Sequence, residues 1–261
     1  MLQLLRTLTV DAWESLLRDY PPDPKPSRRV MYQVLGLYLI AGLVLTVNRY
    51  AAWKSFGWLP EVWTDGLPKP AVRIWWAWML VITYTVPPYL YLRYVMGERL
   101  SDFGFSAKGF RSHVPLYLLF FAIVFPLVVY FSGSEHFLKT YPLAKFASLS
   151  WGTLIVWELS YAMQFVALEF FFRGFLIFGP ARVLGAWVVP VMGMSYLMLH
   201  FQKPFLESIG SIFAGFALGV VALRTRSIYA GMLIHIAVAW SMDLLAMHHK
   251  GELARLMMGG G

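Results

Sequence analysis

The sequence predicts an all-α fold, a polytopic transmembrane helical bundle with about seven spans, within a range of six to eight. Hydrophobic residues make up 59% of the 261-residue chain and charged residues only 14%, whereas soluble proteins have about 25% charged residues. The chain also contains seven separate apolar stretches, and each is close in length to the roughly 20 residues that a helix needs to cross a bilayer. These observations indicate an integral membrane protein without a separate soluble domain.

The segment before the first span, residues 1–29, is expected to form an N-terminal helix and a proline-rich linker at 21–26. Charged residues interrupt its apolar positions, so no cleavable signal peptide is expected. The helix either lies on the membrane surface as an interfacial helix or packs against the bundle. Its apolar residues recur at helical spacing: Leu5, Leu8, Ala12, Leu16 and Leu17.

The transmembrane domain is predicted over residues 30–247, followed by a short tail at 248–261. Proline removes a helical hydrogen bond, so Pro87 and Pro88 should kink the second span or begin a new half-helix. The seven spans are predicted at 30–47, 74–96, 114–131, 150–173, 184–200, 206–223 and 228–247.

The net charge of +8 is spread over loops and termini and contains no basic run. Anionic lipid headgroups are therefore the expected electrostatic partner, and nucleic acid is not. Lys and Arg are in excess on the side that holds the N-terminus, which predicts a cytoplasmic N-terminus. The plasma (inner) membrane is the expected location. Zero cysteines exclude disulfides, thiolate metal sites and a cysteine nucleophile. The oligomeric state stays open.

Ionisable side chains interrupt three of the predicted spans. At membrane depth such a side chain costs roughly 2.5–3.5 kcal/mol, so it usually faces a partner or a wet cavity and serves a function. The fourth span carries Glu158 and Glu169 on one face, and Arg173 follows Glu169 by four residues, within reach of an ion pair. That ion pair could take part in catalysis, or it could only stabilise the packing of the helices. Glu158 is expected to be a structural or pore-lining carboxyl.

Two histidines accompany these groups. His200 ends the fifth span, where a capping role is the simplest interpretation, and His235 lies within the seventh span, two turns before Asp243. One carboxylate and two imidazoles suffice for water-activated hydrolysis, with Glu as general base and His stabilising the oxyanion. Zinc could use the same ligands, Glu169, His200 and His235. Metal is the weaker option because a His-Glu-x-x-His motif and cysteines are both absent.

Three motifs follow one another along the chain: residues 168–174 (LEFFFRG), Tyr196-x-x-x-His200 and His235-x-x-x-Ala239. In order and spacing they resemble the motifs of the CAAX-protease and bacteriocin-processing (CPBP, or Abi) family of intramembrane endopeptidases. The resemblance covers roughly residues 100–247. It implies an endopeptidase that cleaves a membrane-adjacent peptide or protein within or beside the bilayer, in CAAX-type or leader-peptide processing. Glu169 would be the base, His200 its partner, His235 the oxyanion donor and Arg173 the residue that orients Glu169.

Two positions depart from the family pattern. The first glutamate of the usual pair is Leu168, and the final Asn or Asp is Ala239. One residue rotates a helical side chain by about 100°, so Glu169 replaces the missing carboxylate only if the helix shifts. Asp243 is a candidate replacement for the polar group lost at Ala239. The alternative function is a catalytically inactive family member acting as a membrane scaffold or peptide-binding protein; a transporter would predict an internal repeat, which the sequence lacks.

Overall fold

The computed structural model describes residues 10–51, 69–107, 110–201, 203 and 205–259, and the regular secondary structure of these residues is entirely helical. The predicted all-α class is therefore confirmed for this part of the chain. Leu5 and Leu8 of the predicted N-terminal helix lie outside it. The α-helices are α1 Ala12–Asp19, α2 Arg28–Ala51, α3 Lys69–Leu90, α4 Phe110–Phe131, α5 Glu135–Thr140, α6 Trp151–Glu169, α7 Ala181–Leu184, α8 Val188–Met198, α9 Phe205–Thr225, α10 Tyr229–His249 and α11 Glu252–Met257.

Among the described residues, residues 10–11 and two longer stretches have the wider π-helical turn, and three stretches have the tighter 3₁₀ turn. The two longer π-helices follow α3 directly at Tyr91–Met96 and α6 directly at Phe170–Phe178. The 3₁₀-helices are Leu100–Phe103, Lys145–Leu149 and Gly185–Trp187.

Within the described ranges, five helical segments are long and apolar enough to cross a membrane: Arg28–Tyr50, His113–Phe131, Trp151–Met198, Glu207–Thr225 and Tyr229–His249. Many apolar side chains of α4, such as Leu118, Ile123 and Leu127, are exposed. A large exposed apolar surface of this kind is typical of contact with lipid. The chain is thus an integral membrane protein.

The number of crossings, about seven, stays a prediction. The segment Trp151–Met198 contains both the fourth and the fifth predicted spans. Helix α3 corresponds to the second predicted span and is long enough, but it is not among the five segments because Arg73 and several Trp, Tyr and Pro residues lower its hydropathy.

Helix α3 passes through Pro87 and Pro88 and ends at Leu90, where the π-helix begins. The chain therefore changes helix type after the prolines instead of starting a separate half-helix. A proline leaves the carbonyl four residues earlier without its donor, and a wider turn is one way in which a helix accommodates such a defect. Gly97, with φ of 75°, ends this segment.

The chain forms two compact units, each assembled from three stretches. The first comprises residues 1–43, 86–109 and 169–229, and the second comprises residues 44–85, 110–168 and 230–261. In the first unit, all nine residues of the π-helix Phe170–Phe178 are buried. Helices α8 and α9 pack closely in the same unit because α9 has glycine at the contact: a Cβ at Gly219 would lie 2.9 Å from a methyl of Val189.

Helix α1 packs against other helices of the first unit. Trp13 contacts the rings of Trp187 and Phe216, with centroids 5.7 and 5.2 Å away. Leu16 is completely buried, and the hydroxyl of Tyr20 donates to the carbonyl of Leu223 at 2.9 Å. Of the two alternatives for the N-terminal helix, these contacts favour packing on the bundle, while an interfacial location stays a prediction.

The second unit has an apolar cluster at its centre. Trp157 and Tyr161 of α6 meet Ala239 and Met247 of α10 there, together with Ala77 of α3. The 3₁₀-helix Lys145–Leu149 and α11 complete the cluster through Ala147 and Leu256. These residues bring α3, α6 and α10 together around the middle of the predicted fourth and seventh spans.

Candidate active site

Glu169 and Arg173 form a buried ion pair in the first unit. Arg173 Nη1 lies 2.9 Å from Glu169 Oε1, and the two side chains are 1% and 0% exposed. The pairing that the four-residue spacing predicts is therefore present. Burying two charges is costly unless they compensate each other, so Arg173 holds the carboxylate of Glu169 in one place. Leu168, the preceding residue, is also buried and supplies no carboxylate.

The helix changes type immediately after Glu169. Residues 170–178 are π-helical, with hydrogen bonds to the fifth residue along the chain in place of the fourth. Gly174 lies in this stretch, and a Cβ there would be 2.9 Å from the carbonyl oxygen of Phe103. The rotation of about 100° per residue that holds in an α-helix thus applies only up to Glu169, because the π-helix begins at the next residue. Nothing in the sequence of 170–178 indicated this change, because every residue of the run is buried and no helical face can be recognised.

Tyr196 connects Arg173 with His200. The guanidinium carbon of Arg173 lies 4.4 Å from the centroid of the Tyr196 ring, a cation–π contact. Phe172 packs edge-on against the same ring at 5.4 Å. Helix α9 approaches this ring closely as well, since a Cβ at Gly215 would lie 2.9 Å from Tyr196 Cδ1. Tyr196 is thus fixed among α8, α9 and the π-helix.

His200 follows α8 in a turn and contacts Tyr196 twice. Its ring centroid lies 4.8 Å from that of Tyr196, and its Nδ1 lies 3.2 Å from the Tyr196 carbonyl oxygen. A carbonyl oxygen can only accept, so this contact places the proton on Nδ1 and makes Nε2 the basic nitrogen of the neutral ring. Ser208 Oγ donates to the His200 carbonyl at 2.5 Å, which fixes the turn. The first unit thus connects Glu169, Arg173, Tyr196 and His200 through consecutive contacts.

His235 belongs to the second unit, on α10. Its imidazole stacks on the ring of Phe165, with centroids 5.5 Å apart and planes inclined by only 14°. Ala239, one turn further along α10, is 4% exposed and lies in the apolar cluster with Trp157 and Tyr161. The position of the expected Asn or Asp is therefore part of the core.

Asp243 is fully buried in the second unit and holds two hydrogen bonds. Its Oδ2 accepts from Trp157 Nε1 at 2.9 Å, and its Oδ1 accepts from the backbone N–H of Leu143 at 2.8 Å. These bonds give Asp243 a structural role between α6, α10 and the loop before residue 145. That Asp243 replaces the polar group lost at Ala239 remains a prediction.

Glu158 is 9% exposed, and neither of its carboxyl oxygens has a hydrogen-bond partner among the described residues. Its backbone carbonyl accepts from Trp240 Nε1 at 3.1 Å. Such a carboxyl in a membrane protein is costly. Its contacts do not assign it a catalytic role.

A metal site has no obvious ligand set within either unit: the described residues contain no group of three His, Cys, Asp or Glu side chains placed to hold an ion.

Two further residues at the site were not predicted from the sequence, namely Tyr196 as a connecting ring and Phe165 as the partner of His235. Their spacing offered a signal, since Tyr196 precedes His200 by four residues and Trp157, Tyr161 and Phe165 recur at the same interval.

A comparison with known protein families finds a match to part of the chain. A family described as Rce1-like, type II CAAX prenyl endopeptidase, matches residues 150–241, about a third of the chain. The matched segment contains all three motifs and ends two residues before Asp243. No curated protein and no solved structure matches the chain. The resemblance to the CPBP family that the three motifs predict is therefore confirmed by an Rce1-like match over residues 150–241.

Proposed function

We propose that this protein is an intramembrane endopeptidase that hydrolyses a peptide bond in a membrane-adjacent substrate, with water activated by Glu169. The observation that carries the proposal is the completely buried Glu169–Arg173 ion pair, connected through Tyr196 to His200. Keeping two charges away from water inside an apolar fold is costly, and such groups commonly serve a function. The Rce1-like match over residues 150–241 supports a protease of this class.

In the proposed reaction, the Glu169 carboxylate takes a proton from water while the water oxygen bonds to the carbonyl carbon of the substrate. The negative charge moves to the carbonyl oxygen, which needs a hydrogen-bond donor. The bond between carbon and nitrogen then breaks, and the amine leaves with the proton that Glu169 received. No metal is required in this scheme, because the carboxylate itself generates the nucleophile.

The remaining residues have distinct roles. Arg173 orients Glu169 through the 2.9 Å ion pair. His200 helps to position the water through Nε2, since its Nδ1 faces the Tyr196 carbonyl. His235 donates a hydrogen bond to the negatively charged carbonyl oxygen, a role that it is given because of its place in the third motif. Asp243 and Glu158 are auxiliary at most, because Asp243 bonds to Trp157 and Leu143, and Glu158 has no contact among the described residues that suggests a reaction step.

The substrate is proposed to be a CAAX-type or leader-type peptide held next to the membrane by its own apolar or lipidated part. The matched family supports the CAAX-type class. The surrounding lipid is part of the environment, since α4 exposes much of its apolar surface. The proposed location is the plasma (inner) membrane, with a cytoplasmic N-terminus.

A catalytically inactive membrane scaffold is the second candidate, and one specific observation favours it. Both positions that depart from the family pattern hold buried apolar side chains: Leu168 is 8% exposed and Ala239 is 4% exposed. Neither can supply the polar group that the pattern has there. Such a protein would bind peptides without cleaving them.

The test is proteolysis by the purified protein in detergent, with a panel of farnesylated CAAX-type peptides and unmodified membrane-adjacent peptides. Glu169→Gln and His200→Ala should each abolish cleavage, and a chelator should have no effect. Glu98→Gln is a matched control, because Glu98 also forms a 2.9 Å ion pair, with Arg182, in the first unit. Peptide binding without cleavage by folded wild-type protein would favour the scaffold.

A further inference from the structure

We propose that Trp157, Tyr161 and Phe165, here called the aromatic ladder, position the imidazole of His235, with Asp243 as the anchor of the ladder. The inference rests on the proposed function, in which His235 stabilises the oxyanion. It assigns these four residues as positioning residues, which act through His235 and do not touch the substrate.

The ladder is a continuous series of ring contacts along one face of α6. Trp157 stacks on Tyr161 with centroids 5.1 Å apart and planes 24° apart. Tyr161 contacts Phe165 at 4.8 Å, and Phe165 lies nearly parallel to the imidazole of His235 at 5.5 Å and 14°. The four-residue interval places the three rings one above the other. The orientation of the imidazole is thus coupled to a side chain two helical turns away.

The far end of the ladder is held by hydrogen bonds. Trp157 is completely buried, and its Nε1–H donates to Asp243 Oδ2 at 2.9 Å. The second oxygen of Asp243 accepts from the backbone N–H of Leu143, and Phe146 packs edge-on against Trp157 at 6.1 Å. A hydrogen bond and an edge contact together fix both the tilt and the rotation of the indole. The ladder therefore begins at a fixed ring.

Ala239 explains why rings take this role in this chain. It lies one turn after His235 and belongs to the same buried cluster as Trp157 and Tyr161. A methyl group cannot form a hydrogen bond, and a larger polar side chain at this position would compete with the two rings for space. The Phe165 ring is therefore placed to orient the imidazole by stacking, and Asp243 holds the other end of the ladder through its bonds with Trp157 and Leu143.

The first experiment measures the contact between the Phe165 ring and the imidazole of His235 without any need for activity. In histidine-labelled protein in micelles, the ring proton signals of His235 are assigned with His235→Gln and compared between variants by NMR. Phe165→Leu should shift these signals, because it removes the ring current of the nearly parallel Phe165 ring. Phe165→Tyr keeps the ring and should leave them close to their wild-type positions. Phe125→Leu, which removes one ring of the stacked pair Phe121–Phe125 on α4, is the matched control and should not move them.

The second experiment separates positioning from packing by kinetics. Phe165→Leu should lower kcat about tenfold while KM changes less than about twofold, because a misplaced oxyanion donor weakens transition-state contacts and not substrate binding. Trp157→Phe, which keeps a ring but loses the bond to Asp243, should have a smaller effect of the same kind, and Phe165→Tyr should recover most of kcat.

Unchanged His235 signals in Phe165→Leu, or a kcat equal to that of Phe125→Leu, would overturn the proposal even in an active protease. An inactive wild-type protein would instead overturn the proposed function, and with it the catalytic role of the ladder. In that case the shift of the His235 signals would report ring packing alone, so the two failures remain distinguishable.

Discussion

At the scale of single residues, the Glu169–Arg173 pair determines what the site can do. Both side chains are essentially without contact with water, at 0% and 1% exposure. In such a setting the attraction between the charges roughly compensates the cost of removing them from water, but each charge depends on its partner. The pair is therefore a poor source of stability and a strong constraint on the position of the carboxylate.

Replacing one partner should consequently be far more harmful than replacing both. Arg173→Met leaves Glu169 buried without its counter-charge and should lower the free energy of unfolding by about 3–5 kcal/mol. The double variant Glu169→Gln, Arg173→Met should recover most of this loss and still lack activity. Unfolding in mixed micelles measures both effects. Arg182→Met is the control, since the Arg182–Glu98 pair is about 30% exposed and should contribute only about 0–1 kcal/mol. Equal losses for Arg173→Met and Arg182→Met would contradict this account.

At the scale of helices, the close approach of α8 and α9 keeps Tyr196 between Arg173 and His200. Gly215 of α9 makes this possible, because the nearest ring atom of Tyr196 would be only 2.9 Å from a Cβ there. Contacts between carbon atoms are best at about 3.5–4.0 Å. A side chain at position 215 must therefore displace either the ring or the helix.

Gly215→Ala should lower the free energy of unfolding by about 1–3 kcal/mol as a consequence of overpacking, and it should reduce cleavage by moving Tyr196. Gly210 lies on the same helix, and within the described part of the chain a Cβ there would meet no neighbouring element within 4 Å, so Gly210→Ala tests helix propensity alone. That variant should gain up to about 1 kcal/mol. Thermal melts in detergent and peptide cleavage would be compared for the two variants. A stabilised, fully active Gly215→Ala protein would show that the ring is not confined as described.

The sequence predicted helices best where apolar residues form a long run between polar boundaries. The predicted span 228–247 corresponds to α10, Tyr229–His249, and the predicted span 206–223 to α9, Phe205–Thr225. The predicted pairing of Glu169 with Arg173 is also present. The π-helix Phe170–Phe178 could not be predicted, because hydropathy reports burial and not the number of residues per turn. The stack of Phe165 on His235 depends on contact between helices far apart in the chain, which spacing along one helix does not determine.

At the scale of the whole molecule, orientation and the number of crossings are linked. Seven crossings place the two ends of the chain on opposite sides of the membrane, whereas six or eight place them on the same side. With seven crossings and the predicted cytoplasmic N-terminus, the loop after α4 and the tail after α10 both face the outside of the cell.

The absence of cysteine from the sequence allows this arrangement to be tested directly, since a single introduced thiol is the only one in the protein. Asp23→Cys in the linker, Glu135→Cys at the start of α5 and Met258→Cys in the tail provide three such positions, all exposed in the structure. A membrane-impermeant thiol reagent applied to intact cells should label positions 135 and 258 and spare position 23 until the membrane is opened. Labelling of positions 23 and 258 together would instead show that the number of crossings is even. Labelling of position 23 alone would show that the N-terminus faces outward, opposite to the prediction.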